Sequence, residues 1–202
     1  HSDESYGPTS GKASEEKGDI YNVAHALGEA LKDLGFNAIV SDNSHLPRDG
    51  EAYLRSRRTA FDLVKKYQPA TIIDVHRDAV PAKIYRTEVN GQEMTKVRLV
   101  VGRQNQNRDA NLEYAKRIKA YADRDYPGLI EGIFDARGNY NQDLSPRAIL
   151  LEFGTHTTPE EHAKAAAQIM AKVLPAAAGL TGARDNAQTG RREQAEQRKQ
   201  QA

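Results

Sequence analysis

Apolar residues recur at helical spacing early in the chain. Ile20, Val23, Ala24, Leu27, Leu31 and Leu34 line one face of residues 19–34, and Gly35 follows as a stop. This predicts a first helix. Residues 37–41 (NAIVS) read as a strand. Residues 51–67 carry Leu54, Phe61 and Val64 on one face, and Pro69 punctuates the end of that second helix. Residues 70–75 (ATIIDV) form a short apolar run of buried-strand type. Two further strands are expected at 83–86 and 96–102, joined by the turn Asn90-Gly91, a strong hairpin signal. A third helix is expected at 107–124 and a second buried-type strand at 148–153 (AILLEF). The last helix is expected at 158–174, ended by Pro175.

Alternation of this kind predicts an α/β domain: a mostly parallel mixed sheet flanked by helices, with right-handed crossovers and an antiparallel edge hairpin. Such a sheet should carry a strand before the first helix. The sequence opens directly on His1, so either the fold begins with a loop or its first strand lies upstream. The pattern also divides the chain into a domain over residues 1–180 and a tail over 181–202. From Ala183 to Ala202 there is no Ile, Leu, Val, Phe, Tyr or Met. A stretch of that composition cannot bury enough apolar surface to offset its ordering entropy, and is expected to be disordered or loosely helical.

Composition narrows the function classes. Lys and Arg total 29 against 28 Asp and Glu, so no global field draws the chain to nucleic acid or anionic lipid. The basic residues are interleaved with acids and form no strip, which argues further against a nucleic-acid binder. No apolar run reaches the roughly 18 residues of a membrane span, and the opening does not resemble a signal peptide. Cysteine is absent, which excludes disulfides, thiolate metal sites and a Cys nucleophile. Without Trp and with four Phe, the core must rest on Ile, Leu, Val, Ala and Tyr.

Candidate chemistry gathers at strand ends, where open α/β sheets place their sites. Glu152 lies inside an apolar strand between Leu151 and Phe153. A carboxyl group there is costly unless it has a partner or a role, and burial would raise its pKa toward that of a general base working near neutral pH. It could instead leave the sheet edge or pair with an arginine. His76 follows the run ATIIDV and precedes Arg77 and Asp78. His25 borders the apolar face of the first helix, His45 sits in a polar loop, and His156 and His162 lie around the start of the last helix. His1 and Glu4 stand in H-x-x-E spacing, which on a turn aims both side chains at one point. With His76 they make the two-imidazole, one-carboxylate set of zinc hydrolases, with Glu152 positioned to take a proton from water. The spacing alone is equally consistent with an appended His1 and a polar N-terminus in which Glu4 is one more acid.

Four segments together resemble the stage II sporulation protein P (SpoIIP) family, related to the zinc-dependent cell-wall amidases. They are His1-Ser2-Asp3-Glu4-Ser5-Tyr6, Asp74-Val75-His76-Arg77-Asp78, Tyr140-Asn141-Gln142-Asp143-Leu144-Ser145-Pro146 and Leu150-Leu151-Glu152-Phe153-Gly154. The resemblance implies an amidase-3-like fold and hydrolysis of the amide between N-acetylmuramic acid and L-alanine. It implies zinc held by His1, Glu4 and His76, with Glu152 as catalytic acid/base. Glu16 and Asp19 are rivals to Glu4, because related amidases carry the carboxylate ligand nearer the first helix. The family's opening histidine ends a strand, so the resemblance places that strand and the membrane anchor upstream of His1. Arg77 is the candidate donor to developing negative charge or a clamp on a substrate carboxylate, or else a structural partner of Asp74 or Asp78. Asn141, Gln142 and Asp143 are candidate substrate contacts, with Arg103, Asn105 and Asn107 at the rim. The implied partners are peptidoglycan and the lytic transglycosylase SpoIID, at the outer face of a membrane during engulfment.

Overall fold

A sheet of four strands, β1 (Ile72–Asp78), β4 (Val97–Gly102), β5 (Ile130–Ala136) and β6 (Ala148–Thr155), carries the fold in the order β1-β6-β4-β5. The computed structural model describes residues 2–7 and 17–181. The strands β2 (Arg86–Val89) and β3 (Gln92–Thr95) form a separate hairpin, and the helices are α1 (Ile20–Asp33), α2 (Ala52–Tyr67), α3 (Arg108–Asp125) and α4 (Glu160–Ala178). β1 runs parallel to β6 and β4 parallel to β5, while β4 and β6 are antiparallel. The mixed α/β domain expected from the sequence is the one observed.

Period-two alternation gives the sheet two unlike faces. Leu99 and Val101 of β4 and Ile149, Leu151 and Phe153 of β6 point to one face. There they form the main core with α1, α3 and α4. The alanines of α4 let it pack closely: Ala163, Ala166, Ala167 and Ala171 are fully buried. Val100, Leu150 and Ala136 point to the second face, where the ring of Tyr140 packs on them. Among the described residues no long helix seals that face. The loop 137–145 covers part of it, and α2 flanks it with Ala52 as its one fully buried residue.

Three expectations need correction. Residues 37–41 are extended but join no ladder. Val40 packs against Gly28 of α1, where a Cβ would stand 2.4 Å from its Cγ2. Ile39 stays 46% exposed, and a cavity of about 550 Å³ separates this segment from β1. The 83–86 strand is instead a short 3-10 turn over Ala82–Tyr85, and the hairpin pairs Arg86–Val89 with Gln92–Thr95. The Asn90-Gly91 turn itself forms as expected, both residues having positive φ. Pro175 lies within α4 rather than ending it. The helix continues through Ala178, and Gly179 at φ 72° stops it, with the Leu180 N–H donating to the Pro175 carbonyl. Strand β5, broken in pattern by Glu131, Gly132 and Asp135, was not anticipated. The tail expected over 181–202 lies outside the described residues from 182 onward.

Candidate active site

Sheet register lines up the site. His76 on β1 pairs with Glu152 on β6, Glu152 faces Arg98 on β4, and Arg98 aligns with Gly132 on β5. One step along, Asp74, Leu150, Val100 and Phe134 form a parallel row. Both rows belong to the second face, the one the long helices leave uncovered.

A strap of residues 2–7 crosses the carboxyl end of β1 and brings Glu4 to His76. It is tied down along its length. The Gly18 N–H donates to the Ser2 carbonyl at 2.8 Å and the Ile20 N–H to the Glu4 carbonyl at 3.0 Å, so the strap satisfies the first turn of α1. Asp19 accepts from the Tyr6 N–H, Tyr21 donates to Ser2 Oγ, and the Gly7 N–H reaches the Thr158 carbonyl. Gly18 is required here: a Cβ would lie 2.1 Å from the Glu4 carbonyl oxygen.

Glu4 is 3% exposed and splits its carboxylate. Oε1 lies 3.3 Å from His76 Nδ1, and Oε2 accepts the Arg77 backbone N–H at 3.0 Å. On the far side of the ring, His76 Nε2 lies 3.2 Å from Asp74 Oδ1. Burial would push the Glu4 carboxyl up, but the adjacent imidazolium overrides it and holds Glu4 well below the usual carboxylate range. Burial would lower His76, but Asp74 and Glu4 together raise it to about 10. Asp74 is lowered by His76 against its own burial.

Glu152 has the opposite character. Burial raises it to about 7, with His76 working against the rise and repulsion from Glu4 and Asp78 adding to it. Its Oε2 is buried and has no hydrogen-bond partner among the described residues. A buried carboxyl oxygen without a donor is uncommon in a native fold and singles Glu152 out as a functional candidate.

The donors fit a zinc ion. Two ligands at about 2.0–2.1 Å from one tetrahedral ion stand about 3.3 Å apart, which is the Glu4–His76 separation. Asp74 on the other ring nitrogen stands where a carboxylate would orient His76 if its Nδ1 held a metal. Among the described residues no group of three His, Cys, Asp or Glu side chains converges on a metal position. His1 and Glu16 lie outside the described residues.

The other candidates have identifiable contacts. Asp19 serves the strap. Arg77 turns its guanidinium to the carbonyls of Ser5 and Asp78, at 2.8 and 3.4 Å. Gln142 is buried and clamps β4, accepting from the Gly102 N–H and donating to the Val100 carbonyl, both at 2.8 Å. Asp143 holds Arg57 of α2 with two bonds of 2.8 and 2.7 Å, and Asn141 donates to Ser56 Oγ. Arg103 is exposed near Asp135, while Asn105 donates to the Gly102 carbonyl at the end of β4 and Asn107 to the Asp143 carbonyl. His25 pairs with Asp42, and His45 leans on Thr59, with burial lowering its pKa. His162 lies 3.9 Å from Glu93, and His156 is half-buried. Asp74 and Arg98 were missed. A charged residue inside an apolar strand, the signal that singled out Glu152, marks both.

Comparison with known proteins places this architecture. The stage II sporulation protein P (SpoIIP) family matches residues 1–175. The chain belongs to that family. Stage II sporulation protein P from Bacillus subtilis (strain 168) is 32% identical over 175 residues, covering 80% of this chain and 44% of the relative. The chain therefore spans under half the length of the curated relative it matches. Two solved structures share the fold. One is an N-acetylmuramyl-L-alanine amidase from Mycobacterium smegmatis, with TM-score 0.56, 15% identity and coverage of 79% of this chain and 74% of that one. The other is the CwlD amidase of Clostridioides difficile in complex with the GerS lipoprotein, with TM-score 0.55, 14% identity and coverage of 79% and 84%. Among the described residues no helix is long and apolar enough to cross a membrane.

Proposed function

We propose that this SpoIIP-family domain is a zinc-dependent peptidoglycan amidase that cleaves the bond between N-acetylmuramic acid and L-alanine. The observation that carries the reading is the orphaned, neutral-pH carboxyl of Glu152 beside the Glu4–His76 pair. His1, Glu4 and His76 would hold the ion, with Asp74 fixing the ring of His76. When bound, zinc supplies Lewis-acid polarisation and a water of lowered pKa.

The chain's own residues handle the proton. Glu152, half-ionised near pH 7, accepts a proton from the attacking water as the new C–O bond forms. It then delivers that proton to the nitrogen as the C–N bond breaks, leaving a lactyl carboxylate and the amine of alanine. Arg77 fixes Glu4 through its backbone N–H and the strap through its side chain. Gln142 and Asp143 hold the loop 137–145 against β4 and α2. Family membership supports a role in sporulation, and the substrate would place the domain outside the cytoplasmic membrane, beside the glycan-cleaving partner SpoIID.

Product analysis by mass spectrometry tests this. Zinc-loaded protein on purified peptidoglycan is expected to release intact stem peptides with free L-alanine amino termini. Peptides cut within the stem would make it a peptidase, and no cleavage would make it a wall-binding module.

A further inference from the structure

The uncovered sheet face carries one more charged side chain that the reaction above does not use. Arg98 stands opposite Glu152 in antiparallel register, so the two side chains share a face. It is held rigidly. Nε donates to Glu131 Oε2 at 2.7 Å, Nη1 donates to Asp78 Oδ2 at 2.6 Å, and the rings of Tyr85 and Phe134 lie 5.3 and 5.9 Å from Cζ. Nη2 makes no hydrogen bond among the described residues. An arginine with a donor to spare and a glutamate with an oxygen to spare therefore occupy paired positions on one sheet face.

We propose that Arg98 is a substrate-binding residue whose Nη2 donates to the carbonyl oxygen of the first stem residue, just beyond the leaving nitrogen. This rests on the amidase reading. The row runs His76, Glu152, Arg98, Gly132, with the ligand pair at one end. The atom that receives the proton of Glu152 is the leaving nitrogen, so the stem continues away from His76, over β4 and β5. Gly132 leaves the floor there clear, and Phe134, 55% exposed, offers a ring to the alanine methyl. Asp78 and Glu131 already outnumber the one guanidinium, so the site favours a neutral carbonyl over a carboxylate. Fixed geometry also favours Arg over Lys, which cannot hold both carboxylates and keep a donor free.

The test compares N-acetylmuramoyl-L-alaninamide with N-acetylmuramoyl isopropylamide, in which a methyl replaces the terminal carboxamide and so removes the carbonyl oxygen together with its NH2. Calorimetry on zinc-loaded Glu152→Gln protein reads affinity without turnover. The alaninamide is expected to bind about tenfold tighter, and Arg98→Lys or Arg98→Gln to abolish that preference, with zinc content and melting checked for each. Equal affinities in the Arg98 protein, no binding of either compound, or a preference that survives in both variants would overturn the proposal. A uniform loss for both ligands with the preference intact marks a purely structural arginine. Cleavage is scored separately, so a retained preference without amide hydrolysis refutes the amidase reading alone.

Discussion

Glu4 and His76 stand 72 positions apart in the sequence and 3.3 Å apart in space, with Asp74 closing the other side of the imidazole. Buried Glu4 and His76 and partly exposed Asp74 share two carboxylate charges and one imidazolium. A divalent ion bound by this pair would take the place of the proton on Nδ1.

The metal-free protein should show a bell-shaped dependence of stability on pH. Against burial, His76 holds Glu4 below its ordinary 4.5, so that contribution is present above pH 4.5 and fades as pH falls. His76 moves from 6.5 to about 10, so its contribution is complete below pH 6.5 and lost as pH rises through 10. Glu152, raised by burial from 4.5 to about 7, favours the folded state at low pH and loses that advantage as pH rises through 7. Thermal melts in chelator should peak between 4.5 and 6.5, and His76→Gln should remove the decline near pH 10. A flat profile from pH 5 to 10 would contradict the pairing.

Catalysis should follow the ionised form of Glu152. The rate constant kcat/KM is expected to fall tenfold per unit on an acid limb at or below pH 7, because zinc, when bound, lowers the carboxyl further. Glu152→Gln should retain zinc and lose at least about a hundredfold in kcat. A variant that keeps both zinc and turnover removes Glu152 from the chemistry.

Gln142→Ala should act through folding. It leaves the Gly102 N–H and the Val100 carbonyl buried without partners, which costs about 2–4 kcal/mol by denaturant titration. Loss of the Asp143–Arg57 pair, partly exposed, should cost under about 1 kcal/mol. If Gln142→Ala leaves stability intact and raises KM, the residue contacts substrate instead.

Gly18→Ala should disturb the metal site from outside it. The new Cβ would press on the Glu4 carbonyl, which cannot retreat without lifting the strap from α1. Overpacking of this kind costs about 1–3 kcal/mol, and zinc affinity should fall with it. Unchanged affinity would show that the strap does not position Glu4.

Much of this was legible in the chain. Apolar period fixes α1, α3, β1 and β6, and the acid within AILLEF marks Glu152 before any fold is known. The misreadings share a cause: strand identity depends on neighbours. NAIVS has strand composition but packs on Gly28 and finds no ladder, whereas the irregular IEGIFDA becomes β5 because β4 pairs with it. Asp74 and Arg98 carry the same local mark as Glu152, a charge inside an apolar strand, but which groups they meet comes from register across the sheet, which local pattern does not contain. Gln142 and Asp143 looked available because a sequence does not show that a polar side chain is already spent on backbone or on Arg57.

Zinc binding by the metal-free chain, titrated with Glu4→Gln and His76→Gln beside the parent, bears most directly on the site. One ion per chain in the parent and at least about a hundredfold weaker binding in both variants is the expected result. Stoichiometric zinc in either variant, or none in the parent, would contradict a centre built on this pair.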